Sequence, residues 1–373
     1  MLSFLKGTRK LLNATEPVCL VIGNESCDLD SAVCALSLAF YYQNCPPTEI
    51  TQRNHFIPIL NIPRKDFQLK TEVTYLLQQH QIVADMLTFR DELQQQQMST
   101  SECILVDHHV SPLARQCVQV YDHRPFDAAS ELPTSCKLIL EQVGSCATLV
   151  AETILKNSGE TIKFADVLQL LHAVIVMDTV NFSPEAARAT AKDHGVAEKL
   201  EKVLEIGDSV AERLRIFKEL CAAREDVSSL SAHQLLYKDM KLIANQQNSV
   251  KVALPGYPIS VQDFVQKPNA ATAIQEFARE VDCSIIVLIG MKVLHDGSVQ
   301  RDIGVINIKN QQLFDEVVTK LLAATEPSLC LQQLQHKFLN GKFYRQDNVK
   351  ATRKHILPIV KKVLEQANGI ESK

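Results

Sequence analysis

The sequence predicts an α/β protein in two parts. Residues 1–210 form a domain with a mainly parallel sheet flanked by helices, and residues 211–373 form a smaller α/β domain. Three observations predict it. A length of 373 residues exceeds one ordinary domain and suits two, each burying a real core. Short apolar runs such as Val18–Ile22 and Ile104–Val106 stop abruptly at polar or acidic residues. Strands of an α/β sheet do this when they deliver side chains to the crevice beyond their carboxyl ends. Helical patterns separate the runs, and strand candidates resume after a charged stretch beyond the middle of the chain.

In chain order, Val18–Ile22 is the first strand, and Gly23 lets the backbone turn close to a ligand. Asn24, Asp28 and Asp30 follow, ahead of a helix over residues 32–42. Helix capping by Asp30 or Ser31 explains one of these polar residues but hardly all three, which favours metal ligation. Phe56–Leu60 reads as a second strand, residues 72–79 as a helix, and residues 82–89 as a strand-like segment running into Arg90, Asp91 and Glu92. Asp85 and Asp91 compete there as a further metal carboxylate.

The Ile104–Val106 run ends in Asp107, His108 and His109. Consecutive side chains on an extended segment face opposite ways, so the two imidazoles are expected to do different jobs, one on metal and one on substrate. Val118–Tyr121 ends similarly in Asp122, His123 and Arg124 before Pro125. A surface turn competes there with a contact in which Arg124 neutralises phosphate charge. Leu138–Leu140 is a strand candidate, and Gly144–Thr148 opens a helix reaching Lys156. Its small residues suit either an oxyanion near free backbone N–H groups or close packing. Residues 164–172 are helical in pattern, and Val174–Met177 is a further apolar run terminating in an acid, Asp178.

Residues 193–226 are charged and largely helical, and the inter-domain connection is placed within them, near 205–225. Beyond it, residues 231–243 are amphipathic, residues 251–254, 284–289 and 305–308 are strand candidates, and residues 312–323 read as a helix. The segments Gly341–Arg345 and Lys350–His355 are basic. Such runs usually mean solvated surface; the competing reading makes Arg353 and Lys354 a compact phosphate clamp.

Composition narrows the function. A formal net charge of -4 argues against a general nucleic-acid binder, and no stable nucleic-acid complex is expected. The 11 cysteines are scattered through apolar segments without a Cys-x-x-Cys pair, which reads as a reduced intracellular protein with buried thiols. Met1–Lys10 lacks the sustained apolar core of a secretory signal, and no apolar run reaches the length of a transmembrane segment. The expected compartment is the cytoplasm, with the nucleus and weak membrane association left open.

Several strand ends thus supply Asn24, Asp28, Asp30, Asp91, His108 and Asp178. Hard carboxylate oxygens with imidazole suit divalent Mg, Mn or Co, and the lack of a thiolate cluster disfavours structural zinc. Two acids separated by one residue address neighbouring cations, and a carboxylate such as Asp91 can bridge them. That is an economical way to hold a pair of cations for hydrolysis.

The ordered set Asn24-x3-Asp28-x-Asp30-Ser31, Phe89-Arg90-Asp91-Glu92, Asp107-His108-His109, Asp122-His123-Arg124-Pro125, Gly144–Thr148, Asp178 and Thr352-Arg353-Lys354 resembles the DHH phosphoesterase superfamily. Within it, the chain is similar to the prune-like short-chain exopolyphosphatase branch, with a DHHA2-type second domain, from residue 17 to residue 358. The resemblance implies an active-site cleft between the two domains and two divalent cations. Asn24, Asp28 and Asp91 would serve one; Asp30, Asp91, His108 and Asp178 would serve the other, with Asp91 bridging. Asp85 then becomes a local polar contact. Asp107 would orient the histidine region. His109 would face phosphate, joined by Arg353 and Lys354 from the second domain, with Arg124 a secondary contact.

Related two-domain inorganic pyrophosphatases carry histidine where this chain has Asn24. An amide oxygen there favours Mg over a strict Mn preference and makes pyrophosphate a less certain best substrate. The implied reaction is attack of cation-activated water on a terminal phosphorus of short-chain polyphosphate. Domain closure would align the two sets of residues. Cyclic-nucleotide phosphodiesterase activity is the first alternative. The second is a catalytically weak protein-interaction module on the same fold, and the basic C-terminal end leaves room for protein partners.

Overall fold

A computed structural model describes residues 1–12, 18–47, 55–94, 98, 101–157, 161–294 and 296–367; residue 17, where the resemblance begins, lies outside them. The chain divides into two compact units, Met1–Arg224 and Glu225–Lys373.

The first unit runs α1 (Leu2–Leu11), β1 (Val18–Ile22), α2 (Leu29–Asn44), β2 (His55–Leu60), α3 (Thr71–Gln79), β3 (Thr88–Phe89), β4 (Glu102–Val106), β5 (Cys117–Asp122), β6 (Lys137–Leu140), α4 (Cys146–Asn157), α5 (Ala165–Asp178), α6 (Ala191–Val203) and α7 (Ser209–Glu225). Its six strands are all parallel, in the order β3-β2-β1-β4-β5-β6. The strand order reverses at β1, which has β2 on one side and β4 on the other. Their carboxyl ends therefore flank the crevice where ligands bind in open α/β sheets.

The continuous apolar run of β1 follows from burial on both faces. Cys19 and Val21 join one apolar cluster, while Val18, Leu20 and Ile22 join another. Helix α2 is likewise apolar nearly all round and packs against β2, α4 and α5.

Two sequence readings change. Val174–Met177 is not a separate run ending in an acid: it lies within α5, whose residues Val167–Met177 are buried apart from Gln169. Asp178 therefore stands at a helix carboxyl end rather than a strand end. A helix buried on all sides has no polar face, so periodicity cannot separate it from a strand. The strand-like segment 82–89 resolves into a 3-10 turn, Ala84–Met86, before the two-residue β3. Ile82 belongs to the end of α3, where Gln81 is left-handed (φ 59°) and the Ile82 N–H returns to the Leu77 carbonyl at 2.9 Å.

The second unit comprises α8 (Ala232–Lys238), β7 (Asp239–Ala244), β8 (Lys251–Tyr257), α9 (Val261–Val265), α10 (Ala270–Glu280), β9 (Ile285–Val293), β10 (Val299–Asn307), α11 (Gln311–Leu322), β11 (Leu331–Leu334), β12 (Gly341–Gln346) and α12 (Arg353–Ala367). Its mixed sheet has the order β11-β12-β10-β9-β8-β7, with β8 and β9 parallel and the other pairs antiparallel. The amphipathic stretch 231–243 is a helix that passes directly into a strand. The basic segment Gly341–Arg345 is β12, which buries Phe343 and Tyr344 in mid-strand while Arg345 is exposed. Among the described residues, no helix is long and apolar enough to cross a membrane.

Candidate functional site

The β1–α2 turn is built by a close approach that only glycine permits. A Cβ on Gly23 would lie 2.1 Å from Ser31 Oγ and 2.9 Å from the Ser31 carbonyl oxygen. With that space free, the Asn24 N–H donates to Ser31 Oγ at 2.6 Å, and Asp28 caps α2 by accepting from the Ser31 N–H at 3.1 Å. The cap is thus Asp28 rather than Asp30 or Ser31.

Asp30, 4% exposed, sits in the first turn of α2 against the start of α4. Its carboxylate accepts the N–H groups of Cys146 (2.7 Å) and Ala147 (2.8 Å) and the Cys34 thiol (3.1 Å). The Gly144–Thr148 segment therefore gives its free N–H groups to a protein anion, which the helix N-terminus stabilises. Close packing holds there too: a Cβ on Gly144 would lie 2.9 Å from Thr179 Cγ2 and 3.0 Å from the Arg188 carbonyl oxygen.

Across the crevice, β4 ends at Asp107, which is buried and left-handed (φ 59°). Asn24 Nδ2 donates to Asp107 Oδ2 at 2.7 Å; Arg124 Nη2 lies 3.1 Å and His123 Nε2 3.3 Å from Oδ1. Arg124 Nη1 also donates to the Asp107 carbonyl. Asp107 is thus a hub that ties the ends of β1, β4 and β5 together. Asn24 Oδ1 is occupied by Ser26 N (2.9 Å), Ser26 Oγ (2.6 Å) and Cys27 N (3.1 Å). In this arrangement Asn24 stitches the turn to Asp107 instead of offering its oxygen to a cation.

The two histidines separate as their adjacency implies. His108 Nδ1 meets the Val106 carbonyl at 3.0 Å, while Nε2 is shielded and has no hydrogen-bond partner among the described residues. Burial holds the His108 pKa below its ordinary value, so the ring is neutral. A neutral imidazole with Nδ1–H on a backbone carbonyl and a free Nε2 lone pair has the form of a metal ligand. His109 differs: it is 4% exposed, its Nδ1 lies 2.5 Å from Asp122 Oδ2, and its Nε2 accepts the Asp127 N–H at 2.7 Å. Both ring nitrogens are committed, and Phe126 stacks on the ring at 5.5 Å. That leaves His109 no nitrogen for phosphate in this arrangement.

Asp178 reaches the same place from α5, beside Asp30 and hydrogen-bonded to Ser145. Burial and mutual repulsion raise the pKa values of Asp30, Asp107 and Asp178, whereas His123 is pushed up to about 9 because Asp107 and Asp30 outweigh its burial. Buried Asp30 and Asp107 and half-buried Asp178 concentrate negative charge that His123 and Arg124 offset only in part, a setting that fits divalent cations. Among the described residues, the donor atoms that converge within 4.8 Å form two groups, Asp30–Cys34–Cys146 and Asp30–Asp107–His123. Neither contains Asp28, Asp91, His108 or Asp178. Asp91 is exposed after β3, and its Oδ1 accepts the Arg64 N–H at 3.0 Å. Asp85 lies on the surface, its side chain 98% exposed and 3.8 Å from Arg64.

In the second unit, Arg353 opens α12, and its guanidinium grips Asp239: Nη2 to Oδ1 at 2.7 Å and Nη1 to the carbonyl. Lys354 is exposed and has no hydrogen bond or ion pair among the described residues.

His123, Cys34, Ser145, Cys146 and Asp193 stand at the site without having been assigned to it from sequence: His123 lies in the Asp122–Pro125 motif, and Ser145 and Cys146 lie in the Gly144–Thr148 segment, read there only for its backbone N–H groups or close packing. The pattern Asp30-x3-Cys34 on one helix face was the signal available for Cys34.

Residues 218–363 match the DHHA2 domain family. Exopolyphosphatase PRUNE1 of Rattus norvegicus is 33% identical over 372 residues, covering 98% of this chain and 79% of that protein. The Homo sapiens protein of the same name is 33% identical over 374 residues, with the same coverage. Protein prune homolog 2 of Mus musculus is 23% identical over 376 residues, which span 98% of this chain and 11% of that protein. The chain therefore belongs to the prune-like exopolyphosphatases of the DHH phosphoesterase superfamily, with a DHHA2 domain in its second half.

Proposed function

We propose that this phosphoanhydride hydrolase removes terminal phosphate from short-chain polyphosphate, using divalent cations held by Asp28, Asp30, Asp91, His108 and Asp178. The observation that carries the reading is His108, whose Nδ1 is fixed on the Val106 carbonyl while its shielded Nε2 is unclaimed. The exopolyphosphatase names of the PRUNE1 relatives support the substrate class. Two cations, Mg or Mn in preference to Co, supply a polarised water and charge neutralisation at the phosphoryl oxygens.

The chain's own residues set up the rest. Asp107 holds Asn24, His123 and Arg124 in place at the crevice, and the His123 cation offsets buried negative charge. Arg124, Arg353 and Lys354 bring positive charge to the phosphate chain. His109, committed to Asp122 and Asp127, fixes the loop behind the site. One P–O bond forms to water as the bridging P–O bond breaks, and the hydrogens of water pass to the products and solvent. The 11 free thiols suit a reducing compartment such as the cytoplasm or nucleus.

Phosphate release from tripolyphosphate with added Mg tests the reading. Asp178→Asn should abolish turnover and Lys354→Ala should raise KM; near wild-type hydrolysis by both purified variants contradicts it. Phe126, 56% exposed and stacked on His109, gives the cyclic-nucleotide reading an aromatic surface. The same assay therefore includes cyclic nucleotides, and faster hydrolysis of these than of tripolyphosphate favours that reading.

A further inference from the structure

Arg353 stands where helix energetics disfavour it, at the first position of α12, with its cation at the positive end of the helix dipole. It does not stabilise the helix there, and its guanidinium is directed instead to a single residue. Asp239 takes Nη2 on Oδ1 at 2.7 Å and Nη1 on its own carbonyl oxygen. One contact is an ion pair and the other is a backbone acceptor, so together they fix the plane of the fork rather than merely its charge.

Space for this plane is made by the opposite strand. Gly256 pairs with Asp239 across β7 and β8, and a Cβ on Gly256 would stand 3.3 Å from Arg353 Nη1. The Arg353 side chain is 20% exposed, whereas that of Asp239 is 63% exposed. Of five guanidinium N–H groups, the other three have no acceptor among the described residues. A mostly covered, pre-oriented guanidinium with unused donors is prepared for an oxyanion. Lys354 beside it has no such partner.

We propose that Asp239 is a positioning residue that sets the Arg353 guanidinium for the phosphate chain of the substrate; this rests on the reading of Arg353 as a phosphate ligand. The competing role is a staple that only fastens α12 to β7. A staple changes stability, whereas a positioning residue changes substrate affinity through Arg353 alone.

The test is steady-state tripolyphosphate hydrolysis, at saturating Mg, by full-length wild type, Arg353→Ala, Asp239→Ala, Asp239→Asn and the double alanine variant. Asp239→Ala is expected to raise KM about 5–10-fold with kcat within about twofold, as when one charge-assisted contact loses its orientation. Asp239→Asn, which keeps the Oδ1 acceptor, should recover part of the loss. The double variant should be no worse than Arg353→Ala, because the two residues act in series. An unchanged KM in Asp239→Ala, or additive losses in the double variant, overturns the proposal while leaving Arg353 as a ligand. An unchanged KM in Arg353→Ala instead removes the underlying reading, and the proposal with it.

Discussion

Asp193 offers a quantitative test of how the site is held. It is fully buried at the start of α6, and its carboxylate accepts four hydrogen bonds: Gly144 N (2.8 Å), Thr190 N (2.7 Å), Thr190 Oγ1 (2.7 Å) and Thr148 Oγ1 (2.5 Å). Three of these end on Oδ2 and one on Oδ1. Asp193→Ala leaves two backbone N–H groups and two hydroxyls without their acceptor. At about 1–3 kcal/mol for each of the two stranded backbone groups, the loss is about 2–6 kcal/mol. Asp193→Asn can keep its amide oxygen at the Oδ2 position, and the Thr148 hydroxyl can turn to accept from the new NH2. What goes is charge assistance, about 1–2 kcal/mol. Urea unfolding followed by far-UV circular dichroism suits a chain with no Trp. A loss below about 1 kcal/mol in the alanine variant, or equal losses in both variants, would refute the reasoning, which rests on unsatisfied buried donors. Because Gly144 leads into the Cys146 and Ala147 N–H groups that grip Asp30, the alanine variant should also lose turnover.

Two further outcomes follow from the charges. In metal-free protein, Asp178→Asn should raise the unfolding midpoint by relieving repulsion with Asp30, while added Mg should stabilise wild type more than the variant; thermal scans with and without Mg check both. Glu92 is pushed up by burial, but hydrogen bonds from Arg9 and Arg64 prevail and hold its pKa at about 2. A carboxylate depressed in the folded state contributes stability above its unfolded pKa of about 4.3, and the contribution fades as pH falls from there through the folded pKa. Glu92→Gln should therefore be less stable than wild type at neutral pH, with the difference shrinking between pH 4 and pH 2; a constant difference across that window counts against the assignment.

Much of the first unit was legible because parallel strands buried on both faces leave uninterrupted apolar runs. Val18–Ile22 and Ile104–Val106 stood out, and so did the acids and imidazoles at their carboxyl ends. Asp178 was recognisable as an acid closing an apolar stretch, yet its element was not, since α5 is buried on nearly every side. The histidines show a different limit. Sequence separated their roles, but the commitment of His109 to Asp122 and Asp127 depends on contacts 13 and 18 residues away. Asn24 likewise looked like a donor to metal until its oxygen was found inside its own turn. Asp193 carried the local signal of a capping box with Thr190, but its bonds to Gly144 and Thr148 come from elsewhere in the chain, as does the Asp30 carboxylate that takes the Cys146 N–H.

The central claim is that a cation site at the carboxyl ends of β1 and β4, with His108 as a ligand, drives phosphoanhydride hydrolysis. Its most direct test is phosphate release from tripolyphosphate by metal-stripped wild type and His108→Ala, before and after Mg is restored. Turnover is expected only in wild type and only with Mg. Turnover that persists in chelator, or that survives in His108→Ala at the wild-type rate, contradicts it.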